Sequence, residues 1–539
     1  MLTVDEDVDT FSRLAGEDCY DDEEFSTRAS DAISQMLKEI SSHNEKDDVS
    51  EIEEIIETNP TSCLPNHVLQ LAKHRRWKSV LRLVETLLTH PDSVLSAGLY
   101  RQVLYHDDIQ VEITCDSTEE RQDICMLVFY KILSLQKLKR YGELREYLET
   151  FYPYTENMHY SFANLKIPHW APLSLKFYIY CLLYYSSDAT PDRSKKAFQN
   201  TSNDDLYEQL FQLTDSLDLN DPFSSNSLKS FITRSRLLWI VCDFYIRKNE
   251  YRLALKYLDD ALFAINNFYE CHRQQIFERN SGHLLQEENH DNVKLQLLSL
   301  LASRIEAVSC QGRILAECGA LDCFTVILKQ TKDDYECMCY LFPAANYCQK
   351  DDENEKSSGD INVNHYVSHI MKRVSYQLVY NNALLFFSRG AFHEAQEEFL
   401  QALKILVELH KNPLPDSWVN SCLWIDEKIA AQSNEPTFFL HHRLLSYESI
   451  PDLISSCCIN ISLCELYSGR MRDAIQALES IIRKYPTLYM TECCIFNLCT
   501  LYELGYDPVN SEKKKTSLWT VAKKLQLDDL ADRETFRLA

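Results

Sequence analysis

One arrangement of small, aromatic and glycine residues recurs along the chain, and it limits the fold more than any other feature. From Asn382 to Leu403, small residues stand at Ala383, Ala395 and Ala402, aromatics at Phe386, Phe392 and Phe399, and Gly390 lies between them. The spacing predicts two antiparallel helices that turn at the glycine. The small residues let the paired helices approach, and the aromatics fill the gap to the next unit. Gly469, Ala474, Leu478, Ile481 and Pro486 repeat the series, with the proline closing the unit, and Asn497 to Gly505 begins it again. Weaker copies lie upstream. Trp239–Leu262 has Asn249 at the turn, then Tyr251, Ala254, Leu258 and Ala261. Ser309–Leu328 has Gly312 in its first helix and Gly319 at the turn. Tyr130–Phe151 is a half-match through Tyr141, Leu144 and Leu148.

Glycine usage agrees with this reading. The 539 residues hold 10 glycines, and 319, 390, 469 and 505 are expected at the equivalent turn. Phosphate-cradling loops, dinucleotide folds and tight hairpins all need more glycine than this. The pattern is that of the tetratricopeptide repeat (TPR). The expected fold is all-α: an α-solenoid of tetratricopeptide-type helical hairpins with long loop insertions and a disordered acidic N-terminal tail. Stacked repeats bury their faces on their neighbours and form extended concave binding surfaces.

Four regions follow. Residues 1–60 carry 19 acidic and 4 basic side chains, a net of −15 within the chain's −26, and are expected to be a disordered tail with short helices at most at 30–40 and 49–56. Residues 61–350 form an N-terminal array of hairpins and degenerate TPRs. Residues 351–365 are a disordered linker, and 366–539 a C-terminal TPR block interrupted by an insertion at 411–450. Polar breaks are also expected at 185–230 and 271–293. The negative balance disfavours nucleic acid as a partner, since phosphate neutralisation needs basic surface. The acidic N-terminus does not read as a signal peptide, and no apolar run is long enough to span a membrane. The 20 cysteines read as reduced, mostly buried thiols.

The candidates for chemistry are few. His365 and His369 share a helix face at i, i+4, but Tyr366 stands where zinc proteases carry glutamate. Cys337, Cys339 and Cys348 lack a CxxC knuckle, so no metal is expected there. Walker A, GxSxG and GxGxxG motifs are absent from the sequence, and no cofactor or catalytic residue is assigned. A carboxylate clamp of the chaperone-binding kind would need Lys and Arg on the inner helices, where Tyr380, Leu384, Glu492 and Phe496 stand. Those helices instead offer Tyr380, Asn381, Leu384, Phe387, Asn460, Leu463, Tyr467, Phe496 and Tyr502 as a candidate inner face for a protein partner. Gly390, Ala395, Ala402, Gly469, Ala474, Pro486 and Gly505 are the structural positions of the repeats.

The final stretch is the most specific. Pro486-Thr487-Leu488-Tyr489-Met490-Thr491-Glu492 leads into Phe496–Leu504, then Lys513-Lys514-Lys515 and a terminal Arg537-Leu538-Ala539. Together with Trp77-Lys78-Ser79-Val80, Leu87-Leu88-Thr89 and Phe151-Tyr152-Pro153-Tyr154, it resembles the transport protein particle (TRAPP) complex subunit 12 family. The insertion at 411–450 and the segment after Gly505 depart from that family's pattern. The resemblance implies a non-catalytic scaffold in a tethering and Rab nucleotide-exchange assembly of ER-to-Golgi traffic and autophagy. It implies other subunits as partners, only indirect membrane contact, and a cytoplasmic location peripheral to ER-exit and Golgi membranes. The alternative is a free-standing TPR adaptor for an unrelated complex.

Overall fold

The computed structural model describes residues 48–58, 65–89, 118–151, 248–280, 287–342, 363–411, 450–530 and 533–538. It also describes single helical positions at 33, 175, 178, 179, 182, 238, 241, 242, 245 and 246. Among these residues every regular element is helical, and the fold is an α-solenoid of hairpins. The helices are α1 (Asp48–Thr58), α2 (Pro65–Lys73), α3 (Trp77–Thr89), α4 (Thr118–Lys137), α5 (Tyr141–Glu149), α6 (Tyr251–Asn280), α7 (Glu287–Glu317) and α8 (Leu321–Leu341). Then follow α9 (Val363–Ser388), α10 (Phe392–Lys411), α11 (Ile450–Tyr467), α12 (Met471–Lys484), α13 (Pro486–Tyr489), α14 (Glu492–Gly505) and α15 (Pro508–Lys524). Two 3-10 turns, Asp528–Leu530 and Arg533–Phe536, complete the series.

A single turn design joins the paired helices. Arg75, Lys139, Asn249, Gly319, Gly390, Gly469 and Gln526 all have positive φ. At each, two backbone bonds reach back into the ending helix, as in Gly390 N to Phe387 O and Ala391 N to Phe386 O, both 3.0 Å. This double bond satisfies carbonyls that a helix end leaves unpaired. Burial then follows a fixed count from the turn. Five residues on stand Val80, Leu144, Ala254, Phe324, Ala395 and Ala474, all buried. Twelve residues on stand Leu87, Phe151, Ala261, Thr331, Ala402 and Ile481, again all buried.

Where the two helices of a hairpin cross, the side chains are matched in size. Ser462 lies opposite Ala474 and donates to its carbonyl at 2.7 Å. In α7 and α8 the bulk is moved across the contact: a Cβ on Gly312 would lie 2.7 Å from the Phe324 ring. Gly312 is thus the small partner that admits a large Phe324 where the hairpins turning at 249, 390 and 469 place alanine.

Gly505 is a correction. It is not at the left-handed turn but is the last residue of α14, and its Cβ would lie 2.9 Å from Ile475 Cδ1. Its role is close approach to α12. The connection onward uses Asp507, whose carboxylate accepts from Val509 N (3.0 Å) and Asn510 N (3.1 Å), with Pro508 opening α15. Those bonds hold the Asp507 carboxyl below its ordinary range.

The tail boundary moves as well. α1 falls inside the region expected to be disordered, yet its Ile52 and Ile56 are buried with α2 and α3, and Ile33 is buried in the C-terminal core. Ser79 Oγ donates to Glu53 at 3.0 Å, fixing α1 on α3. α9 begins at Val363, so the end of the expected linker is helical. The boundary between cores lies inside α9: Val367, Ile370 and Val374 belong to the N-terminal core, Tyr376 and Ala383 to the C-terminal one. One long helix thereby couples the two halves. α6 and α7 extend into the break expected at 271–293, leaving only 281–286 between them outside the described residues. The insertions at 185–230 and 412–449 also lie outside them, and α10 packs directly on α11.

Candidate partner-binding edge

The inner-face residues separate into three groups. Asn381 and Tyr502 are corrections, because both are in the core. Asn381 accepts from Arg313 Nη1 at 3.2 Å and ties α7 to α9. Tyr502 donates to Glu479 Oε1 at 2.7 Å. Burial, and then the Glu479 charge, raise the Tyr502 phenol well above its usual range. Glu479 also accepts from Arg483 at 2.6 Å and Lys514 at 3.3 Å, so this carboxylate fastens α12, α14 and α15 together. Lys515 is likewise taken up inside the array, by Glu503, Glu512 and the Arg537 carbonyl. Much of the 513–515 basic run is therefore spent on internal pairing.

A second group lines the groove between successive hairpins. Asn460 Nδ2 donates to the Tyr380 hydroxyl at 2.9 Å, linking α9 to α11. The Tyr380 ring meets Phe399 edge-on with centroids 5.5 Å apart. Leu384 and Leu463 are half-buried against the same core. These residues hold one hairpin to the next, and only their outer edges reach solvent.

The third group comes together at the turn end of the hairpins. The Tyr467 ring stacks on Phe392, with centroids 5.2 Å apart and planes 17° from parallel, and Phe387 meets both edge-on at 5.4 and 5.6 Å. Tyr467 is 61% exposed despite these contacts. Phe392 opens α10 two residues past Gly390, and Tyr467 closes α11 two residues before Gly469, so the two neighbouring turns bring both rings to one edge. Beneath them lies a polar clamp: Gln396 Nε2 donates to Glu465 at 2.6 Å, and Arg470 reaches both Glu465 and the Gln396 oxygen. Glu465 is buried, so the clamp fixes α10 against α11 and holds the rings in register.

Phe496 is also exposed, at 53%, but stands apart from that cluster. It lines a shallow cleft with Lys139, Glu492, Cys493, Glu534 and Thr535, and Arg537 lies 5.4 Å from its ring centroid.

The edge presents the rings of Phe387, Phe392 and Tyr467, with exposed His393 and Glu397 beside them. Elsewhere, His369 is buried in α9, and burial followed by Arg373, His365 and Lys372 depresses its pKa to about 3. Cys337 and Cys339 lie on α8, while Cys348 is outside the described residues. Among the described residues no three His, Cys, Asp or Glu side chains gather as metal ligands, and no helix is long and apolar enough to cross a membrane.

No family model matches the chain. Part of it resembles trafficking protein particle complex subunit 12. The mouse protein of that name (Mus musculus) is 37% identical over 65 residues, which is 12% of this chain and 8% of the mouse one. The human protein (Homo sapiens) is 37% identical over the same length, 9% of its own chain. The match thus spans less than a tenth of either relative. Among solved structures, the "APC/C hetero-tetramer Cut9-Hcn1" aligns over 86% of this chain and 95% of that one, at 11% identity and a TM-score of 0.19, too slight a likeness to bear on the fold.

Proposed function

We propose that the chain is a non-catalytic scaffold subunit of a TRAPP-type trafficking assembly and holds neighbouring subunits through its hairpin edge. The observation that carries the docking surface is the exposed Tyr467 ring stacked on Phe392 above a fixed polar clamp. Rigid, partly exposed aromatics are the side chains that dominate protein interfaces. An apolar helix or extended segment is the ligand such an edge accommodates. The resemblance to trafficking protein particle complex subunit 12 supports the choice of assembly. On this reading the exchange chemistry on a Rab GTPase, in ER-to-Golgi traffic and autophagy, belongs to other subunits, and the chain reaches Golgi membranes only through them.

The test is fractionation of a cell extract at moderate salt. The scaffold reading expects this chain in a high-mass peak together with TRAPP subunits identified by mass spectrometry. Elution with an unrelated set of proteins would instead support a free-standing adaptor.

A further inference from the structure

The two ends of the array touch. The turn that joins α2 to α3 lies against the last turn of the C-terminal block. Arg75, at the left-handed position of the first turn, donates to the Met490 carbonyl at 2.7 Å and to Asp529 at 3.0 Å through Nε. Arg76 Nη1 reaches the Leu525 carbonyl at 2.7 Å, where α15 ends. Asp528 Oδ2 accepts from the Lys78 backbone N at 2.9 Å, and Asp528 pairs with Lys78 Nζ, also at 2.9 Å. Farther along, Lys139 at the next turn pairs with Glu492 at 2.8 Å.

The charges are placed as helix ends require. A helix N-terminus carries unpaired N–H groups and partial positive charge, and a C-terminus the reverse. Asp528 supplies a carboxylate to the N-terminus of α3, and Arg76 supplies a cation to the C-terminus of α15. Each end of the chain thus caps a helix of the other, some 450 residues away in sequence. Ile33, ahead of α1, is buried in the C-terminal core, but the hydrophobic residues of α2 and α3 do not bridge this junction: their core runs from Ile52 to Val374, and the other holds Met490, Leu527 and Leu530. The α2–α3 turn therefore meets the end of the C-terminal block through charged and polar groups. Contacts of that kind permit relative motion; salt screens the solvent-facing Lys78–Asp528 and Lys139–Glu492 pairs, and the largely buried Arg75–Asp529 pair much less.

We propose that this junction is an electrostatic latch that closes the array end to end and opens without unfolding either core. Closure brings Lys139 against Glu492 and so completes the cleft beside Phe496; opening separates its walls. The latch does not depend on which assembly the chain serves.

The test uses the full chain and a carbodiimide, which joins a lysine amine directly to a carboxylate in contact with it. At low ionic strength the Lys78–Asp528 cross-link should form within monomers and be identifiable by mass spectrometry. At about 1 M salt, where the screening length falls to roughly 3 Å, its yield should drop several-fold. The Lys372–Glu408 pair, held within the α9–α10 hairpin, is the internal reference and should change little. Small-angle scattering should show a larger radius of gyration at high salt with an unchanged helical signal. Asp528→Lys with Asp529→Lys should open the latch at low salt, and adding Arg75→Glu with Lys78→Glu should restore compactness. No Lys78–Asp528 product at low salt, a product found only in dimers, or a yield that follows the reference pair at all salt concentrations would overturn the proposal. If the charge-reversed variants lost helicity, the salt series on the unaltered chain would still decide.

Discussion

Side-chain size at the helix crossings decides whether each hairpin closes. Ala395 and Ala474 are fully buried five residues past their turns, so Ala395→Leu or Ala474→Leu should overpack the crossing and cost about 1–3 kcal/mol. The exchange of bulk between Gly312 and Phe324 gives a sharper test. Gly312→Ala alone should destabilise by about 1–3 kcal/mol, and Phe324→Ala alone by about 3–5. The double variant recreates an alanine pair like Ala383 and Ala395, so its cost should fall well below the sum, as a double-mutant cycle in urea would show. The buried thiols set a pH limit. Burial raises Cys457 and Cys458 well above the ordinary thiol and pushes Cys464, Cys494 and Cys499 up to about 12. Above roughly pH 9 the unfolded chain releases these protons while the native one keeps them, so stability falls as pH rises, by up to about 1.4 kcal/mol per unit for each thiol. Urea midpoints under reductant should be level from pH 7 to 8 and drop steeply by pH 10. His369 acts on the other side. Its native pKa of about 3 lies below the unfolded value, so its contribution is present above pH 6.5 and fades on acidification. His369→Leu should narrow the stability gap between pH 7 and pH 5.

At the scale of elements, the turns explain what could be read from sequence. Gly319, Gly390 and Gly469 announce themselves, because glycine enters the left-handed region at no steric cost. Arg75, Lys139 and Gln526 occupy the same region without any such signal. Their turns are legible only indirectly, through Trp77 and Tyr141 two residues on. Asn249 was readable because asparagine tolerates that conformation. The inner-face periodicity groups Phe387 and Tyr467, which lie at the hairpin edge, with Asn381 and Tyr502, which are buried. Both sets lie on the first helices of hairpins, and only the packing of the neighbouring helices decides which are covered. Phe392 was read as a packing aromatic, since it sits on the second helix. A short helix at 49–56 is legible, but charge hid its docking: the acidic composition of residues 1–60 outweighs two buried isoleucines until their spacing of four is set against α2 and α3. Removing residues 1–60 should therefore destabilise the protein rather than leave it unchanged. Ile52→Asp should reproduce most of that loss, about 3 kcal/mol or more, with reduced hydrogen-exchange protection in α2 and α3.

At the scale of the molecule, α9 joins two cores and the polar end contact joins them again, so contacts run full circle through the described residues. Such an array presents much edge for docking, which is the physical content of the scaffold reading. The direct measurement is recovery of partner subunits by the affinity-purified chain carrying Tyr467→Ala, beside Phe496→Ala and the unaltered protein, with circular dichroism on all three. The aromatic-edge account predicts that Tyr467→Ala lowers recovery at least fivefold, the equivalent of about 1 kcal/mol for an interface anchor, while Phe496→Ala stays near the unaltered level and both keep full helicity. Full recovery with a folded Tyr467→Ala chain would contradict the account and move the docking surface away from the hairpin edge.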